Sequence, residues 1–161
     1  MSSVLNVEHL SVSYRGARHI HRAVDDISVR IGQGEALGLV GESGSGKSSV
    51  ALAVLRYLPK HARVEAAQLA FENREIRDLS ADQLRRLRGD RIAAVYQHPG
   101  SALNPSMTIG GQITETILRH RPMHHDEAFA RAAQLLSRVR VANPERVLQL
   151  YPHELSGGMQ Q

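Results

Sequence analysis

With 161 residues and 42% hydrophobic content, the chain is long enough to bury one sizeable core, and wholesale disorder is excluded. It has no cysteine, which removes disulfides, thiol catalysis and thiolate metal sites and fits a reducing compartment. The formal charge is +4, but the arginines are scattered, and the one tight group (Arg85, Arg86, Arg88, Arg91) sits beside Asp82 and Asp90 in the manner of a solvated helix face.

No stretch approaches the length of an uncharged membrane span, and the opening residues have neither a basic n-region nor an apolar core, so a soluble, unsecreted protein is expected. The nine histidines do not form a ligand pattern: His19/His21 and His124/His125 have the wrong spacing for one helix face, and Pro122 interrupts His120 and His124.

The predicted elements begin with a strand over Leu5 to Tyr14, with Val7 and His9 on one face and Leu10, Val12 and Tyr14 on the other. A polar link from Arg15 to Arg22 leads to a second strand, Val24 to Ile31, closed by Gly32-Gln33-Gly34. Together they suggest an antiparallel element ahead of the main core. Ala36 to Val40 is a short apolar run of the kind a buried parallel strand shows.

Immediately after it comes GESGSGKS, Gly41 to Ser48, which fits G-x-x-x-x-G-K-[ST]. Glycines at 41, 44 and 46 let backbone N–H groups turn toward phosphate oxygens, and the loop feeds the positive end of a helix predicted over Ser49 to Leu58 and stopped by Pro59. Lys47 would set an ammonium between the β- and γ-phosphates of a nucleotide, and the Ser48 hydroxyl would face Mg²⁺. Of 20 cationic residues only Lys47 and Lys60 are lysine, so one of two lysines stands where a compact point charge is wanted.

Further on, Val64 to Phe71 reads as a strand with Asn73 near its turn, and Ser80 caps a helix over Ala81 to Arg88 that Gly89 stops. Arg91 to Gln97 is a second buried-strand candidate, ended by His98-Pro99-Gly100. A helical pattern follows from Met107 (Ile109, Ile113, Ile117, Leu118), breaks at Pro122, and resumes as the stripe Ala128, Phe129, Ala132, Leu135, Leu136 and Val139. A short segment, Pro144 to Leu150, leads to Tyr151-Pro152. The chain closes on LSGGMQQ, where Ser156 is placed as an N-cap and Gly157 and Gly158 leave a helix start bare enough for an anion to approach.

GESGSGKS, then AVYQHPGSALNP, then YPHELSGGMQQ arrive in the order of the Walker A, Q-loop and signature motifs, and from about Leu5 onward the chain resembles the ATP-binding subunits of ABC transporters. Ser101 to Pro105 and the methionine after the signature glycines resemble the oligopeptide, dipeptide and nickel importer branch. The resemblance implies an α/β fold: a P-loop NTPase (ABC ATPase) core with an N-terminal antiparallel β element and an α-helical subdomain, incomplete at the C-terminus. It divides the chain into 1–98, part of the ATPase core; 99–154, the helical subdomain; and 155–161, the start of the signature helix.

Site residues follow from the same resemblance. Gly41, Glu42, Ser43, Gly44, Ser45, Gly46, Lys47, Ser48 and Ser49 would cradle ATP's phosphates, and Tyr14 would stack on adenine. Gln97 would reach Mg²⁺ and the attacking water. Leu155, Ser156, Gly157, Gly158, Met159 and Gln160 would close over ATP held by the opposite subunit of a head-to-tail dimer. Residues 101–113 would meet a membrane permease, placing the protein peripherally on the cytoplasmic face. His98, where an acidic residue is common, and Tyr96, where Phe is frequent, are mild departures.

The Walker B aspartate, catalytic glutamate, D-loop and switch histidine of the family are expected beyond Gln161, so the chain reads as a fragment that binds ATP and does not turn it over alone. The expected function is ATP-driven import of peptides or similar small solutes. A soluble ABC protein acting on ribosomes or DNA, and a non-catalytic nucleotide-binding remnant, are the alternatives.

Overall fold

The computed structural model describes residues 3–17, 19–97 and 99–161; His98 lies outside them. Two long strands, β1 (Ser3–Arg15) and β2 (Ile20–Gly32), pair antiparallel with Leu5 opposite Ile31 and Tyr14 opposite His21. The simple alternation expected for β1 does not hold. His9 and Asp26 both take positive φ, 53° and 49°, and the register shifts between Val7 and Leu10. This bulge turns His9 outward and lets Val7 and Leu10, three residues apart, both enter the core. The N–H groups it frees are not orphaned: Ser28 Oγ accepts from His9 N at 3.0 Å and Ser11 Oγ accepts from Asp26 N at 3.0 Å.

The strand expected over 64–71 is two strands. β3 (Ala62–Glu65) pairs with 11–14 of β1, and β4 (Gln68–Phe71) pairs with 5–8, so two short pieces cover one edge of a 13-residue strand. Glu72 and Asn73, both left-handed, form the tight link to β5 (Arg74–Glu75).

Helix α1 (Lys47–Val54) turns Val50 and Ala53 into this sheet's core. It ends before the expected Leu58: Arg56 adopts φ 50°, its N–H donates to Ala53 O, and Tyr57 N–H donates to Leu52 O at 2.8 Å, closing the last turn ahead of Pro59. The Arg56 guanidinium then donates to Ile76 O and Leu79 O. At α2 (Ala81–Leu87), Ser80 Oγ accepts from Gln83 N while Gln83 Oε1 accepts from Ser80 N, a reciprocal cap.

Two further expectations fail. Ala36 to Val40 belongs to no strand, and Val40 is 98% exposed. Arg91 to Gln97 contributes only one parallel bridge, Ile92 to Arg88, and leaves Val95 77% exposed. A parallel strand is buried only when neighbours pair its edges and helices cover its faces, and among the described residues nothing pairs with either run beyond that bridge.

The chain divides into two compact units, Met1–Arg85 and Arg86–Gln161. The second is helical: α3 (Ile109–His120), α4 (His125–Arg138), α5 (Pro144–Gln149) and α6 (Gly157–Gln160), with 3-10 turns at Pro99–Ala102 and Pro152–Glu154. Thr108 Oγ1 caps α3 by accepting from Gly111 N at 3.2 Å. Gly110 makes close approach possible, since a Cβ there would lie 2.7 Å from both Leu148 O and Phe129 Cε2. Of the α4 stripe, Ala128 and Ala132 are fully buried, Phe129, Leu135 and Leu136 are half-buried, and Val139 is exposed. No helix among the described residues is long and apolar enough to cross a membrane.

Candidate functional site

The loop from Gly41 to Gly46 is shaped by two left-handed glycines, Gly44 at φ 84° and Gly46 at φ 88°. At Gly46 the need is steric as well, because a Cβ would lie 2.3 Å from Ala23 O on β2. That close approach pins the loop's exit against the sheet and starts α1 at Lys47, so the helix's unpaired N-terminal N–H groups face the loop.

The Lys47 ammonium lies inside the loop, donating to Gly41 O (2.8 Å), Glu42 O (2.6 Å) and Ser45 Oγ (3.2 Å). Each of these acceptors is neutral, so an anionic phosphate oxygen would compete for the ammonium with a stronger, charge-assisted bond. Glu42, Ser43, Gly44 and Ser45 are exposed. The exposed Ser48 hydroxyl makes no hydrogen bond among the described residues and is a hard oxygen donor of the kind Mg²⁺ takes beside phosphate oxygens and waters.

Tyr14 reaches the same helix. Its hydroxyl shares a 2.9 Å hydrogen bond with Ser49 Oγ, and its ring stands 6.0 Å from that of His61 at 52°. Sequence reading missed His61. It arrives beside Tyr14 because β3 pairs Ala62 with Tyr14, a long-range register that no local spacing announces.

Gln97 is exposed on irregular backbone in the second unit, whereas the phosphate loop belongs to the first. In that second unit the closing motif is an open backbone on a buried anchor. Leu155 is buried with Ile109 and Val147, while Gly157 and Gly158 are exposed with nothing within 4 Å of where a Cβ would stand. Ser156 occupies the N-cap position, but its side chain makes no capping bond; backbone does the closing, with Met159 N and Gln160 N both donating to Ser156 O. Met159 is exposed, and Gln160 Nε2 donates to Pro152 O at 2.7 Å, fastening the short helix to the preceding turn.

The segment before α3 is held by a residue the sequence did not single out. Gln112 accepts from Asn104 N (2.9 Å) and donates to Asn104 O and Met107 O (3.0 Å each), folding residues 104–107 onto the helix.

The ABC transporter family model matches residues 24–161. The chain is 42% identical over 159 residues to a probable peptide ABC transporter ATP-binding protein, y4tR, of Sinorhizobium fredii, covering 98% of this chain and 48% of that one. It is 41% identical over 159 residues to the dipeptide transport ATP-binding protein DppD of Escherichia coli, covering 99% of this chain and 49% of the relative. Against the glutathione import ATP-binding protein GsiA of Salmonella typhimurium it is 41% identical over 164 residues, covering 98% of this chain and 26% of that one. The chain thus spans about half the length of the first two and about a quarter of the third. Among solved structures, a dimeric bacterial ABC transporter cassette, MJ0796, superposes with a TM-score of 0.80 at 26% identity over 97% of this chain and 65% of that one. With the phosphate loop, the closing glycine motif and these likenesses together, the chain belongs to the ABC transporter family and has the fold of its ATP-binding cassette.

Proposed function

We propose that the chain is the ATP-binding part of an importer subunit that couples ATP to uptake of peptides or similar small solutes. The observation that carries this is the Lys47 ammonium held by neutral acceptors at the start of α1, beside a Ser48 hydroxyl that makes no hydrogen bond among the described residues. On this reading ATP's phosphates draw Lys47 off the Gly41 and Glu42 carbonyls while the loop's N–H groups, from Gly41 to Ser49, take up the remaining phosphate oxygens. The Ser48 hydroxyl would hold Mg²⁺, which would supply charge neutralisation to the phosphates, and the family resemblance assigns Gln97 to the same ion. Tyr14 is the adenine platform, and its bond to Ser49 ties that platform to the phosphate-binding helix. In a head-to-tail pair, Leu155 to Gln160 meets the partner's ATP; the bare Gly157 and Gly158 support close approach. Residues 101–113 dock on a permease at the cytoplasmic membrane face. The names of the relatives, with peptide, dipeptide and glutathione cargo, support the solute class.

The test is Mg-ATP binding to the 161-residue chain by calorimetry, beside Lys47→Ala. Saturable binding that weakens at least about tenfold in the variant, the loss of one charge-assisted phosphate contact, is expected. Equal binding by both proteins would sink the reading.

A further inference from the structure

We propose that this chain carries a second phosphate-binding site, on the opposite face of β1 from Tyr14. The proposal does not rest on the transport reading above.

Successive residues of a strand point to opposite faces, so Ser13 and Arg15 project away from the side on which Tyr14 meets α1. The register then assembles a row: Arg22 of β2 and Arg63 of β3 both stand opposite Ser13. Neighbouring strands lie about 4.8 Å apart, so two guanidinium arms flank a small hydroxyl floor with their Cα atoms about 10 Å from one another. Arg15 stands two residues further along the same face, and Lys60 closes the rim. The result is a concavity of about 320 Å³ lined, among the described residues, by four cations and a single carboxylate, Glu65.

Counter-charge in the protein is incomplete. Glu65 pairs with Arg63 at 2.7 Å and Asp25 pairs with Arg22 at 2.8 Å, but Arg15 and Lys60 have no carboxylate partner among the described residues. Like charges gathered on one concave face raise the local potential and concentrate anions there, and arginines flanking a hydroxyl present the forked donors that phosphate oxygens accept. The ligand class is a phosphate-bearing anion with more than one charge.

The probe is inorganic tripolyphosphate, titrated at low salt into the Lys47→Ala chain, where the phosphate loop's ammonium is gone. We expect one saturable site that persists in Lys47→Ala and weakens about tenfold or more when Arg22→Gln and Arg63→Gln are added. Both arginines are exposed, so the melting temperature should not move. The same titration into wild-type protein presaturated with Mg-ADP gives the answer without relying on Lys47→Ala. Vesicles of phosphatidylglycerol against phosphatidylcholine separate the sources. Arginine-dependent binding to the anionic vesicles assigns a lipid headgroup, and binding to tripolyphosphate alone assigns a free phosphate. No saturable binding outside the phosphate loop, or binding indifferent to Arg22 and Arg63, overturns the proposal.

Discussion

The run Ala36 to Val40 is the more continuously apolar of two strand candidates, yet β1 is the one that reaches the core. In β1, Leu10 and Val12 are fully buried; in the run, Leu37 and Leu39 are each 46% exposed and Val40 is almost entirely so. The difference lies in the partners. β1 finds β2 by a short antiparallel return and gains β3 and β4 on its other edge, whereas a parallel strand needs a neighbour brought by a crossover. Hydrophobicity makes a strand available for burial, and pairing decides whether burial happens.

The sharpest way to break that comparison is a matched pair of substitutions. Leu10→Ala should cost about 2–5 kcal/mol by leaving a cavity in a closed core, while Val40→Ser should stay within about 0.5 kcal/mol. Urea denaturation of each measures this, and equal losses would mean that the 36–40 run is packed after all.

The second unit tests the same idea by close packing. Gly110→Ala puts a methyl 2.7 Å from Leu148 O and Phe129, so a loss of about 1–3 kcal/mol is expected. Thr114, 1% exposed and with no hydrogen-bond partner for its Oγ1 among the described residues, should behave oppositely: Thr114→Val removes a desolvated hydroxyl and should leave stability equal or about 1 kcal/mol higher. A marked loss on Thr114→Val would reveal a partner for that hydroxyl.

The smallest effect concerns how β4 and β5 hold the sheet's edge. Burial pushes the Glu75 carboxyl up, but hydrogen bonds from the Arg77 guanidinium and from the Arg77 and Leu69 N–H groups outweigh it, and the net direction is below 4.5. A depressed carboxylate stabilises the fold above its unfolded value and loses that contribution as pH falls through its folded value. Glu75→Gln should therefore cost about 1 kcal/mol at neutral pH and lose its difference from wild type as pH drops below 4.5. A difference that persists in acid would show that shape, not charge, holds this edge.

The locally encoded elements were legible. The cap at Ser80, the break at Pro122 and the glycine turns at Gly44 and Gly46 act within a few residues, so spacing alone exposes them. The bulge at His9 was not, because it depends on Asp26 and on two serine hydroxyls from the facing strand. Nor was the end of α1 at Val54, fixed by a left-handed arginine whose guanidinium holds carbonyls twenty and more residues away. Within the candidate site, the glycine turn at Gly44 and Gly46 could be read directly, whereas His61 beside Tyr14 and Gln112 beneath residues 104–107 could not.

By itself, then, the sequence determined the order of the motifs, the glycine-rich turn that leads into Lys47 and the family to which they belong, since each is a property of adjacent residues and their backbone freedom. Tertiary structure alone decided which apolar runs are buried, how Tyr14 and Ser49 come into contact, and that Arg22 and Arg63 converge across Ser13. Those outcomes depend on strand register, and register is set by the summed pairing of whole strands rather than by any one residue along them.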